Sequence, residues 1–179
     1  MTSLLRRPLL ALLLVVPALA AAGCGEKASK QGAANAVLPT TTTTAYPGDG
    51  ASRVALARWM GAGAAAAGLP RELPVMGALV ESGLANVRSG DSDSAGFFQI
   101  PVRIWNKGAY AGFPDKPELQ LKWFVDQALA FGRRRAAAGI DTKNDQTWGA
   151  WVADVERPAA QFRGRYQLRL TEARKLLGG

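Results

Sequence analysis

Apolar residues return at helical spacing in several stretches of this chain, and the polar residues between them mark where each helix starts and stops. Val54, Ala57, Trp59 and Met60 lie in a segment that Ser52 can cap and that Gly68-Leu69-Pro70 ends, which predicts a helix through about Ala67. Pro74 suits the first turn of a second helix, with Val75, Met76, Leu79 and Val80 on its buried side and Gly83 beyond its end. Residues 83–95 are rich in Gly, Asp and Ser and read as loop, and Phe97-Phe98-Gln99-Ile100 then forms a short apolar run closed by Pro101. A third helix is expected after a turn-rich stretch from Lys107 to Pro114. There Asp115 and Glu118 have capping-box spacing, Pro117 lies in the first turn, and Leu121, Phe124, Val125, Ala128, Leu129 and Phe131 form the core stripe up to Gly139. Trp148 to Val155 and Ala159 to Leu177 supply two more. The expected class is mainly α, with one irregular central segment able to hold a small hairpin. Neither a repeat nor a βαβ alternation is present.

The pattern is different before Ala51. Arg6 and Arg7 precede an uncharged run from Leu9 to Ala22, about 14 residues long, where a stable crossing of the bilayer needs about 20. The run fits the apolar core of a secretion signal. It ends in Ala21-Ala22-Gly23-Cys24, which resembles the lipoprotein cleavage box of bacteria, although Ala21 stands where Leu is usual. The division expected is a signal at 1–23, a tether at 24–50 beginning with a lipidated Cys24, and a folded domain at 51–179. The alternative is a secreted protein with a stray Cys. The tether contains five consecutive threonines, Thr40 to Thr44, and lacks the periodicity needed to bury a face. Lipid on Cys24 would make a membrane surface the first partner.

Composition narrows the chemistry. The 179 residues contain no His and one Cys, so His-dependent nucleophilic sites, His-ligated metals and an internal disulfide are excluded. No cofactor is implied, and a catalytic site would rest on carboxylates, Lys, Tyr or hydroxyls. The 22 Lys and Arg against 14 Asp and Glu leave a net charge of +8. Arg133-Arg134-Arg135 fits a solvated helix end, where cations favour the dipole. Attraction to anionic polymers outside the membrane is the second reading of the charge. Nucleic acid is not an expected partner, because no aromatic-basic recognition motif is present.

Glu81 is the strongest chemical candidate. It follows Leu79-Val80 at the end of the second helix, where an apolar wall and the negative end of the helix dipole both disfavour its charged form. A carboxyl that keeps its proton near neutrality can protonate a leaving oxygen. From Glu81-Ser82 the chain runs through a 13-residue loop, 83–95, into Gly96-Phe97-Phe98-Gln99-Ile100. This ordered pair resembles the catalytic segment of soluble lytic transglycosylases and the related goose-type lysozymes, most closely the actinobacterial and phage-type branch. The resemblance is strong over 78–105 and weaker over 54–166. The Ala-Tyr-Asn segment of many members is missing; Trp148 to Pro158 instead looks like the helix lining the far side of the cleft in the phage-type branch.

The resemblance implies a small lysozyme-like α+β domain, monomeric, with a substrate cleft and peptidoglycan glycan strands as substrate. Glu81 would act as general acid and then base on the bond between N-acetylmuramic acid and N-acetylglucosamine. Transglycosylases close a 1,6-anhydro ring without water, whereas hydrolytic relatives use a second carboxylate to position water. Asp91 and Asp93 are the candidates for that carboxylate, or else are turn formers in a Gly/Ser-rich loop. Phe98, Gln99 and Tyr110 are expected to contact substrate. Ser82 either hydrogen-bonds near the sugar or caps the helix end. Trp105 and Phe113 are further stacking candidates, while Trp148 and Trp151 fit the core. The competing reading is a non-catalytic lysozyme-like lipoprotein of the cell envelope that binds glycan or serves as a scaffold.

Overall fold

A computed structural model describes residues 45–88 and 93–178, so the expected signal, the lipidation site Cys24, most of the tether and Asp91 lie outside the described residues. The fold is mainly α. Helix α1 spans Arg53–Ala66 and α2 spans Glu72–Glu81; β1 (Ser94–Ala95) and β2 (Ile100–Pro101) follow, then α3 (Val102–Trp105), α4 (Pro117–Ala137), α5 (Trp148–Glu156) and α6 (Leu170–Leu177). The two strands pair antiparallel, Ser94 opposite Pro101 and Ala95 opposite Ile100, so the central segment is a small hairpin. Among the described residues no helix is long and apolar enough to cross a membrane.

The organising element is α2. Every residue from Leu73 to Leu79 is buried, and α1, α5 and α6 all pack around it. A helix apolar on all sides is stable only when surrounded, and this one reaches the surface chiefly at its ends. Its last residue, Glu81, therefore emerges from the core rather than from a solvated face. Gly77 lets α5 and α4 approach closely: an added Cβ would come within 2.9 Å of Phe124 Cε2 and 3.0 Å of Glu156 Oε1.

Several details differ from the sequence expectation. The packed body includes Tyr46, whose ring meets Trp59 edge-on at 4.9 Å and whose hydroxyl donates to Asp49 at 2.5 Å; the fold thus begins upstream of Ala51. Ser52 caps α1 by accepting from Ala55 N, but Asp115 caps nothing: it sits in a 3-10 turn (Phe113–Asp115), and Lys116 occupies the cap of α4 with Pro117 next. Arg135 is not a solvated helix end. It is 8% exposed and donates to Asp154 at 2.9 Å, tying α4 to α5. The single helix expected from Ala159 to Leu177 is two 3-10 segments, Ala160–Arg165 and Gln167–Arg169, before α6. Pro158 and Gly164 disfavour a continuous α-helix there, and Arg163 fixes the first segment by donating to Ala153 O and Asp154 on α5.

Candidate active site

The turn from Gly96 to Gln99 is built against α2 and α4 by buried hydrogen bonds. Gln120, fully buried on α4, accepts from Phe97 N at 2.9 Å and donates to Phe113 O and Asn86 Oδ1. Gly96 has φ +82°, and a Cβ there would lie 2.3 Å from the Gln120 side chain, so only glycine fits. Ser82 Oγ donates to both Phe97 O at 2.8 Å and Ala78 O at 3.1 Å. Its one proton is therefore spent joining the end of α2 to the turn, and Ser82 does not line the cavity described next. Gln99 stands at φ +45°, a strained conformation for a non-glycine residue, with its Nε2 donating to Gly96 O at 2.9 Å.

This scaffold brings Glu81, Phe98 and Gln99 to one cavity of about 260 Å³, with Trp105, Trp123 and Glu156 in its wall. That volume is near the lower bound for small-ligand sites, about 300 Å³. A larger hollow of about 410 Å³, around Leu69, Thr142 and Trp148, has no carboxylate in its lining, and the apolar groove beside Trp59 and Leu121 has Glu118 only beside Lys122. Of these three, the cavity of Glu81 is the one with two carboxyl groups, Glu81 and Glu156, in its wall.

Other expected contacts fall elsewhere. Tyr110 is absent from the wall; its ring packs edge-on against Trp105 at 5.7 Å, and its hydroxyl donates to Asp126 at 2.8 Å. It supports Trp105, which does line the cavity. Phe113 is buried in the core, as is Trp151, whose Nε1 donates to Ala128 O. Asp93 is exposed and outside the cavity. It accepts from Arg103 N at 3.0 Å and Arg103 Nε at 2.9 Å, and those bonds hold its carboxyl below the ordinary range. A spent, solvated carboxylate on the hairpin has no geometry for positioning water in this cavity.

Two residues that the sequence reading did not single out stand beside Glu81. Tyr166, 1% exposed and in the turn between the two 3-10 segments, donates its hydroxyl to Glu81 Oε1 at 2.5 Å. Glu156, the last residue of α5, lies in the same cavity wall, and its Oε1 is sealed from solvent with no hydrogen-bond partner. Trp123 Nε1, from another wall residue, is likewise buried and unpartnered. Unpartnered buried polar atoms are rare enough that two around one cavity mark it as unusual.

The electrostatics separate the two carboxyls. Burial raises the pKa of Glu81, and the Tyr166 hydroxyl, which favours the carboxylate, opposes that rise. Glu156 is raised well above the ordinary range, by burial first and then by the charge of Glu81, with Arg157 opposing. The phenol of Tyr166 is raised by burial and by its bond to Glu81, so it remains a donor. No protein-family model, curated protein or solved structure matches the chain. Among the described residues, no three His, Cys, Asp or Glu side chains group as metal ligands would.

Proposed function

We propose that the protein cleaves the glycan strands of peptidoglycan, with Glu81 as general acid and then base, from a position outside the cytoplasmic membrane set by a lipid on Cys24. The observation that carries this reading is the half-buried Glu81 lining one cavity with Gln99, on the helix-loop-turn segment that resembles lytic transglycosylases. In a lysozyme-like domain of this kind, the protonated Glu81 gives its proton to the glycosidic oxygen as the bond to the muramyl C1 breaks. The muramyl 6-hydroxyl oxygen then bonds to C1 while its proton passes to Glu81, which returns to its starting form with a 1,6-anhydro end released. Phe98, Trp105 and Trp123 supply apolar surface for sugar faces, and Gln99 supplies polar contacts at the rim.

Incubating the purified chain with sacculi and analysing soluble products by mass spectrometry tests this. Release of muropeptides whose ends are one water lighter than reducing ends is expected from the wild type, and loss of release from Glu81→Gln. Absence of release by the wild type, with glycan binding retained, would leave the non-catalytic binding module instead. Equal release by Glu81→Gln would remove Glu81 from the reaction.

A further inference from the structure

Helices α2 and α5 end at the same cavity, and each ends in a glutamate. Negative charge at a helix C-terminus is disfavoured by the dipole, so the fold places two carboxyls where neither is helped by its own helix. Their remaining surroundings differ. Glu81 receives the Tyr166 hydroxyl at 2.5 Å, a bond that steadies an anion. Glu156 Oε1 receives nothing and faces Gly77, one turn before Glu81 on α2. Phe124 and Val152 bound the same spot.

Glu81 faces Glu156 from α2, and Tyr166 comes from the turn between the 3-10 segments. Arg157 follows it in the chain, but donates to Gln127 Oε1 at 2.9 Å and lies against Phe131. Arg163, from the first 3-10 segment, is committed to Ala153 O and Asp154. Lys122 and Asp126 on α4 pair with each other, away from the cavity wall. No cation in this set is bonded to Glu156.

We propose that Glu156 is the uncharged carboxyl of the pair, keeping its proton while Glu81 gives one up and takes it back. Two like charges in one enclosed site cannot both be held cheaply, and the member with a donor is the one that ionises. With Glu156 neutral, the pair never carries more than one negative charge, so the Glu81 anion left after proton donation is not repelled and remains available as base. This second half rests on the glycan-cleavage reading; the order of titration does not.

Carboxyl-carbon NMR titration of the purified chain tests the order directly. Glu81 is expected to titrate first and Glu156 at higher pH. In Glu81→Gln the Glu156 midpoint should fall by about one pH unit or more, because the neighbouring charge is gone. In Glu156→Gln the Glu81 midpoint, and the alkaline limb of muropeptide release, should stay where they are, since a neutral amide replaces a neutral acid. A Glu156 midpoint in the ordinary range near about 4.3, or one indifferent to Glu81→Gln, would reduce Glu156 to a structural residue. A Glu81 midpoint that falls in Glu156→Gln would reverse the order and overturn the proposal. Should a variant not fold, the wild-type curves decide, because Glu156 must lie above Glu81. No muropeptide release with this order intact defeats the cleavage reading alone; a reversed order with release intact defeats this proposal alone.

Discussion

Tyr166 donates its hydroxyl to Glu81 Oε1 at 2.5 Å, joining residues 85 positions apart and linking a 3-10 turn to the end of the most buried helix. The bond favours the carboxylate over the acid, so Tyr166 restrains the upward push that burial exerts on Glu81. In Tyr166→Phe that restraint is lost and the Glu81 midpoint moves up, carrying the alkaline limb of activity with it. Hydrogen bonds to charged groups contribute about 1.5–3 kcal/mol, so the variant should lose stability on that order at alkaline pH, above the Glu81 midpoint, where the carboxylate is the form bonded. The loss should shrink in acid, where Glu81 is protonated in both proteins. Urea unfolding at two pH values, set beside a pH–rate profile, checks both parts.

Gly96 and Gln120 make a second lock. An Ala at 96 would adopt φ +82° at a cost of about 1–2 kcal/mol and would also displace the Gln120 amide. Gln120 would then release Phe97 N, and the turn that presents Phe98 and Gln99 would loosen. Gly96→Ala should lower stability by at least about 2 kcal/mol and reduce muropeptide release beyond what the unfolded fraction explains. Gly83→Ala offers the contrast: its φ is also positive at +66°, but a Cβ there meets nothing within 4 Å, so its effect should be limited to backbone strain.

Much of this arrangement is legible in the residues. The helical periodicities around Trp59, Leu79 and Phe124 correspond to α1, α2 and α4, because each apolar stripe is local and each packs on the core it predicts. The spacing from Glu81 to Gln99 is likewise local, and the hairpin whose turn holds Gln99 brings it to the cavity of Glu81. Tyr166 and Glu156 were hidden for a different reason. Their relation to Glu81 comes from tertiary packing, through a 3-10 segment that periodicity reads as plain helix and through the close α2–α5 approach permitted by Gly77. Pro158 and Gly164 were the available signal that 159–169 would not be regular. The pairing of Asp93 with Arg103 was not legible either, because a Gly/Ser-rich loop gives no sign of which cation will take its carboxylate.

Ser82 separates positioning from contact. Its hydroxyl is shared between Ala78 O and Phe97 O, so Ser82→Ala leaves a part-buried carbonyl without its donor at a cost of about 1–2 kcal/mol. If that is its role, release by Ser82→Ala should fall with the folded fraction and recover on cooling below the shifted Tm. A loss of affinity for glycan that persists in fully folded protein would show instead that the hydroxyl touches substrate.

Glu156→Gln should change how stability depends on pH, and the sign follows from proton binding. The folded chain holds the Glu156 proton more tightly than the unfolded chain, where the midpoint is about 4.3. The stabilisation from that proton is complete below about pH 4 and is lost progressively as pH rises through the folded midpoint, because the unfolded state now releases a proton that the folded state keeps. Over that window the wild type should lose up to about 1.4 kcal/mol per pH unit from this one group. A Gln of nearly the same shape binds no proton, so Glu156→Gln should match the wild type at about pH 4 and below and exceed it increasingly as pH rises. The gentler slope remaining in the variant belongs to Glu81, whose midpoint is raised in the same direction but restrained by Tyr166. Parallel stability curves for the two proteins from pH 4 to pH 9 would mean that Glu156 ionises as freely in the folded chain as in the unfolded one.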